Sequence, residues 1–443
     1  MDTLLIKSSI KGIKNLSNKI DINYIKSNFD MDVFNDNHVK AIYGANGVGK
    51  SAIVHAYDTY KFVTLNKYPF LDILFVTKFA ELLNNKTKEF EIENIVANTN
   101  VDGILRVSHK IVIGLNSFNE FYFKKEIIRQ LNSRLEYGKT FFEQENGEVK
   151  VALDENHLST ISKTDFKSNS IVTIMVNAIY DRHKSDNKTE FSPFENVVSA
   201  CFLLATRLQI TYGSLEDNHE YFNTFTLMRS IKEKKDVASL IKDYSILRSL
   251  VTRMKGERYL WIFNKKEEDN YRQLVVKLTY FLKLLKPSLK SIEPKIDYAD
   301  SIALCNLVFH YQNGSVDYEF ESTGIKKLCA LFIGLYNASK GSISFIDEID
   351  SGVHDVFLSR LIEYFTLYND CQLIITTHHV GLMEVVKQIS KSIDFITEKG
   401  TIKQWVKNGD LSPSSLYLKG NIEGLPFNLN AIEFSEVFGE TDD

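Results

Sequence analysis

The sequence predicts an α/β chain whose phosphate-binding core is split in two by a long, mostly helical segment. Three observations carry this reading. A short apolar strand at residues 39–43 runs into a glycine-rich turn at 44–49 and then a helix from Ser51, the strand–loop–helix opening of a P-loop unit. A second apolar strand, residues 342–346, ends in two acids, Asp347 and Glu348. Between them, residues 171–290 read as mostly helical by hydrophobic spacing. The expected division is 1–160 for the N-terminal part of the core, 161–295 for a helical, coiled-coil-like insertion, and 296–443 for the C-terminal part.

The remaining elements follow the same logic. Residues 3–24 alternate apolar and polar side chains and predict a β-hairpin, and residues 71–77 predict a further strand. Strand-like runs continue at 110–115 and 120–123. A hairpin is expected to turn at Asn146 and Gly147, because Asn-Gly accepts the positive φ of a tight turn. Tyr271, Leu274, Val275, Leu278 and Leu282 recur at helical spacing, and Pro287 ends or kinks that helix. Strands return on either side of Asn313 and Gly314. A helix over 326–338 and a buried strand over 373–377 follow.

Composition narrows the class. Of 443 residues, 44% are hydrophobic and 25% charged, with 21 Gly and 6 Pro, an ordinary globular balance that excludes collagen-like and proline-rich chains. Cys201, Cys305, Cys329 and Cys371 form no CxxC pair and have no His at zinc-finger spacing, so buried free thiols in a reducing compartment are expected. The N-terminal stretch has lysines where a signal peptide has an apolar block, and the longest apolar runs are too short to cross a bilayer. A soluble, cytoplasmic protein with no membrane partner is the expectation.

The chemistry concentrates in two motifs. Gly44, Ala45, Asn46, Gly47, Val48, Gly49, Lys50 and Ser51 fit G-x-x-x-x-G-K-[ST]. Glycines let consecutive N–H groups curl around a phosphate, and the helix N-terminus adds its positive end. Lys50 supplies charge to the β- and γ-oxygens, and the Ser51 hydroxyl is a Mg²⁺ ligand. Asp347 is the second candidate Mg²⁺ holder, through water, and Glu348 the candidate general base for an attacking water. Glu321, Ser322, Thr323, Gly324, Ile325 and Lys326 precede an apolar helix about 25 residues before Asp347, a position also open to an ordinary helix cap. Ser351, Gly352, Val353 and His354 follow Glu348, and Thr376, Thr377 and His378 follow the strand at 373–375.

In this order the motifs resemble the ABC-type ATPases. The resemblance makes Ser322 and Gly324 a signature motif that binds the γ-phosphate held by a second subunit, residues 351–354 a D-loop, and His378, rather than its neighbour His379, the switch histidine. It implies ATP and Mg²⁺ as ligands and a homo-oligomer closed through an ATP-sandwich dimer. Thr323 stands where most members have a glycine, a variant characteristic of the OLD-type branch. The usual glutamine is missing, since no Gln lies between residues 52 and 129, with Thr77 and Asn84 as candidate substitutes. The split core is similar to SMC and RecF proteins. The tail around residues 417–426 resembles OLD-like ATPases of bacterial anti-phage loci, including the PARIS-like group. About 65 residues follow His378, fewer than a Toprim nuclease needs, so the resemblance implies a separate effector protein.

Two roles remain open: an ATP-driven sensor or scaffold in anti-phage defence, and a RecF/SMC-like repair ATPase that binds DNA. The insertion bears on both. Residues 229–290 hold sixteen Lys or Arg against seven Asp or Glu, a net +9 that leaves −13 on the rest of a chain whose total is −4. Such a split suits DNA or an acidic phage protein that mimics DNA, or else lysines paired with acids of the core. If the partner is external, binding weakens steeply with salt. Changing Lys234, Lys235, Arg253 and Lys255 to Glu should then abolish it and leave basal ATP turnover intact. Titrations against duplex DNA and an acidic DNA-mimic protein at two salt concentrations check this; binding that ignores salt, or no binding, identifies internal pairing.

Overall fold

The computed structural model describes residues 2–422 except 27–28, 101–102, 155, 187–189, 214–260, 300–301, 369–370, 390 and 408–410. Strands β1 (Thr3–Lys11) and β2 (Ile20–Asn23) form the expected antiparallel hairpin. β3 (His38–Tyr43) leads through the glycine loop into α1 (Lys50–Leu65). Helix α2 (Ile73–Leu82) then stands where the sequence predicted a strand at 71–77. The physical reason is local: the Asp72 carboxylate caps the helix by accepting from the N–H groups of Leu74 and Phe75, and Phe75 and Phe79, one turn apart, stack at 5.5 Å.

β4 (Glu89–Asn100), β5 (Gly103–Leu115), β6 (Phe121–Leu131), β7 (Tyr137–Glu145) and β8 (Glu148–Ala152) continue as a meander, with Asn146 and Gly147 both at positive φ in the last turn. With the first hairpin they make a seven-stranded sheet in the order β2-β1-β4-β5-β6-β7-β8. Cross-strand ion pairs lie on it, Lys110–Glu91 at 2.7 Å and Lys125–Glu143 at 2.9 Å among them, so its charges are met within the sheet.

Next come α3 (Leu158–Ser162), α4 (Ile171–Asp186), α5 (Pro193–Arg207) and β9 (Leu208–Thr211). β10 (Trp261–Asn264) and α6 (Glu268–Leu285) follow residues 214–260. The apolar face predicted for α6 is buried, and the helix stops two residues before Pro287. β11 (Leu289–Ala299), β12 (Ile302–Tyr311) and β13 (Gly314–Asp317) join β10 in a four-stranded antiparallel sheet. Then come α7 (Thr323–Ala338), β14 (Ile343–Ile346), α8 (Asp355–Leu367), β15 (Gln372–Thr376), α9 (Gly381–Val386), β16 (Ile393–Ile396), β17 (Ile402–Gln404) and α10 (Pro413–Leu418).

The central sheet has the order β17-β16-β3-β15-β14-β9, and all its pairings are parallel except β16 with β17. β9, from within residues 161–295, is thus a strand of the same sheet as β3 and β14. Both faces of the sheet are covered. Along β15, Leu373 and Ile375 join one apolar cluster with α6, α7 and α8, and Ile374 joins another with α1, α4 and α5. This is the period-2 alternation of a strand buried on two sides. A buried ion pair, Lys40–Asp394 at 2.7 Å, ties β3 to β16.

Positions 234, 235, 253 and 255, most of the basic run and residues 423–443 lie outside the described residues. Among the described bases, Arg272 pairs with Glu268 at 2.8 Å. Lys277 and Lys286 lie over the rings of Tyr336 and Tyr311, at 5.3 Å and 5.6 Å.

The two large sheets are joined by one amide. Gln372 Oε1 accepts from Leu5 N at 2.9 Å and Gln372 Nε2 donates to Leu5 O at 2.6 Å, beside the register shift between Leu5 and Lys7. Gln372→Met keeps much of the volume but strips two buried backbone groups of partners. We expect a loss of about 2–4 kcal/mol, since each such group costs about 1–3 kcal/mol; urea unfolding measures it.

Candidate functional site

β3 delivers the loop. Gly49 has φ +118, and a Cβ there would lie 2.7 Å from Leu16 Cδ2, so the turn into α1 needs glycine on conformational and steric grounds. Gly47 has φ +77 and faces open space, and its carbonyl accepts from the Asn15 side chain. Asn46 is exposed, while Ala45 and Val48 are buried and seat the loop on the core. The Lys50 ammonium, 6% exposed, donates to the carbonyls of Gly44 at 3.0 Å and Ala45 at 2.9 Å. Ser51 is next, in the first turn of a 16-residue helix. Burial lowers the Lys50 pKa, against the pull of Asp347, Glu348 and Asp350.

The acids end β14, whose four residues are all buried. Asp347 N donates to Thr211 O at 2.8 Å, which sets the strand end against β9. The Thr376 hydroxyl, at the end of β15, does two jobs: it donates to Asp347 Oδ1 and accepts from Glu348 N at 2.8 Å. Both roles of one hydroxyl are used. Glu348 has φ +46, an uncommon conformation for a side-chain-bearing residue, and its side chain is exposed. Two more bonds close the two loops on each other, Ile349 N to Thr376 O at 3.1 Å and His378 N to Asp350 Oδ2 at 3.3 Å, and Ser351 N to Glu348 O at 2.8 Å turns the first loop.

His378 is half-buried, and its pKa is lowered by burial and by Lys50, with Asp350, Glu348 and Asp347 acting the other way. Its ring therefore shares the electrostatic environment of the loop lysine and the acids. His379 is engaged elsewhere: Nε2 lies 3.3 Å from Asp355 and its carbonyl accepts from Tyr43.

Ser322 and Gly324 stand apart from this cluster. Ser322 caps α7, its hydroxyl accepting from Ile325 N at 3.4 Å. Gly334, farther along α7, packs against Thr211 and Ile346, which puts Ser322 about 18 Å away along the helix axis at the usual rise per residue. Ser322, Thr323 and Gly324 are all exposed. Lys327, one turn in, donates to Ser351 Oγ at 2.6 Å, and His354 caps α8.

Sequence reading missed three contributors. Thr376 is the pivot of both acids, Asp350 receives the His378 backbone, and Gly213 stands where a Cβ would come 2.8 Å from Glu348 Cβ. Tyr212, beside it, donates to Asp58 at 2.8 Å and stacks on His55 at 4.7 Å; burial holds the His55 imidazole down to about 3. A short polar residue closing a buried strand was the one visible signal, for Thr376. Of the candidate glutamine substitutes, Thr77 bonds back to Ile73 O, and Asn84 holds a turn through Lys14, Lys86 and Thr87.

Residues 207–384 match a family described as "AAA domain, putative AbiEii toxin, Type IV TA system". The matched segment holds Ser322, Asp347, Glu348 and His378 and does not reach the loop at 44–51. Among solved structures, the SMC head domain from Thermotoga maritima is similar at 15% identity, covering 91% of this chain and 99% of that chain with a TM-score of 0.34; no residue role is carried across from it. Comparison with curated proteins gives no match.

The residues fit a nucleotide with Mg²⁺. Among the described residues the Lys50 ammonium is hydrogen-bonded by carbonyls of its own loop, and a buried carboxylate near it has one oxygen fixed by Thr376. Lys50→Ala removes the charge that would meet the phosphates, so nucleotide affinity should fall about tenfold or more. Titration of purified protein with ATP measures it; unchanged affinity would show that the loop does not hold the phosphates.

Proposed function

We propose that this chain binds ATP and Mg²⁺ and hydrolyses ATP as an ABC-type ATPase. The supporting observation is convergence at one sheet edge: the loop after β3, the acids after β14 and His378 after β15 leave three adjacent parallel strands. Ligands of such sheets sit outside the carboxyl ends of the strands. Loop N–H groups and Lys50 bind the phosphates, and Ser51 and Asp347 hold the metal. Glu348 accepts the proton of the attacking water, and His378 contacts the terminal phosphate. Mg²⁺, when bound, neutralises charge on the phosphate oxygens.

A dimer completes the site in this reading. Gly324 is the second residue of α7, and a Cβ there would meet nothing within 4 Å among the described residues. No described neighbour in its own subunit uses the missing side chain, which suits a close approach from outside. Ser322 and Gly324 then bind the γ-phosphate held by the partner.

For the biological role, the reading is a cytoplasmic sensor or scaffold in anti-phage defence, of the OLD-like and PARIS-like kind, that controls a separate effector. The toxin–antitoxin wording of the matched family supports it. The second reading, a RecF/SMC-like repair ATPase on DNA, draws support from the +9 charge of residues 229–290. No described helix is long and apolar enough to cross a membrane.

Glu348→Gln keeps shape and hydrogen bonding but cannot take the proton. Turnover should drop about 10²–10⁴-fold while ATP still binds, and the variant should accumulate as an ATP-dependent dimer. Phosphate release and light scattering with and without ATP measure both. Normal turnover would make Glu348 structural.

A further inference from the structure

Asp350 has no assigned role, yet it is the third carboxylate at this edge. Its Oδ2 accepts from His378 N at 3.3 Å. Its Oδ1 is buried and has no hydrogen-bond partner among the described residues. Buried carboxylate oxygens are normally satisfied, so an orphan at this edge calls for an explanation. The groups facing this region are Lys50 from α1 and Asp347, Glu348 and Asp350 from the loop after β14. Lys50 is already satisfied by Gly44 and Ala45, and the Tyr43 hydroxyl donates to His379 O. The ring of His378 makes no hydrogen bond among the described residues. A buried acceptor without a partner and a ring without a hydrogen bond, among the described residues, therefore belong to two residues already joined through the backbone.

Building on the ATP-hydrolysis reading, we propose that Asp350 is the positioning residue of His378. When nucleotide enters, Asp350 Oδ1 accepts the Nδ1–H of the His378 ring, which leaves Nε2–H aimed at the terminal phosphate. Oδ2 meanwhile keeps the backbone bond, so one carboxylate fixes both the main chain and the ring of the same histidine. A ring that donates through both nitrogens is an imidazolium. Asp350, Glu348, Asp347 and the phosphate oxygens favour that proton, and the added phosphate charge outweighs the opposition of Lys50. Second partners of this kind fix tautomer and orientation without touching substrate.

The test compares the unaltered protein with Asp350→Asn, His378→Ala and the double variant, each measured for turnover, nucleotide affinity and thermal midpoint. Asn keeps an oxygen for His378 N but presents an amide N–H, a donor, to the ring. We expect kcat to fall about 10–100-fold, the scale of losing such a partner, with KM and affinity unchanged. The double variant should be no slower than His378→Ala alone, because the two residues act as one unit. Normal turnover in Asp350→Asn, or losses that multiply in the double variant, overturns the proposal. An unaltered protein that binds ATP without turnover removes the hydrolysis reading instead. A separate measurement needs neither turnover nor an Asp350 variant: ¹H–¹⁵N spectra of the His378 ring in the Glu348→Gln protein. Protons on both ring nitrogens with Mg²⁺ and ATP, against one without, are expected; a ring that stays singly protonated overturns it.

Discussion

The site depends on three adjacent parallel strands that stop at the same level. β3 and β15 pair so that Ile42 lies opposite Thr376, and β14 and β15 pair so that Ile346 lies opposite Ile375. Parallel pairing points the carboxyl ends the same way, so the glycine loop, the two acids and the histidine leave from one edge. The Thr376 hydroxyl then sets the fine position, because it binds the Asp347 side chain and the Glu348 backbone together. Moving β15 by one residue would exchange the buried faces of Leu373, Ile374 and Ile375 between two cores. Register at the site is therefore guarded by hydrophobic burial on both sides of the sheet.

The rest of the molecule braces that edge. α1 begins at the loop and packs among the seven-stranded sheet, α4 and α5. A buried polar chain runs beneath it: Tyr60 on α1 bonds His109 at 2.9 Å, His109 bonds Glu126 at 2.9 Å, and Glu126 accepts from Ile171 N at the start of α4 at 2.9 Å. Every member is partnered, which makes such a network rigid rather than costly. On the other face α7 links the acid strand, through Gly334, to an exposed N-terminus at Ser322.

The motif residues were legible in the sequence because their chemistry is local. Gly47, Gly49, Lys50 and Ser51 are consecutive or nearly so, and a phosphate cradle needs only a strand before them and a helix after. Asp347 and Glu348 stood out as charges at the end of an apolar strand. The face of α6, the turn at Asn146 and Gly147, and the β1–β2 hairpin were readable from spacing alone. The stretch at 71–77 was not, because its apolar residues satisfy both periods and the cap at Asp72 decides between them.

What the sequence by itself determined is therefore the set of candidate site residues and most of the elements that carry them. Strand order was decided only in the tertiary structure. β9 pairs with β14 across more than a hundred residues, and β3 with β15 across more than three hundred, and parallel pairing at such separations leaves no periodic trace along the chain. For that reason Asp350 and Gly213, each unremarkable where it stands in the sequence, and Thr376, marked there only as a polar strand end, acquire their roles from neighbours that only folding supplies.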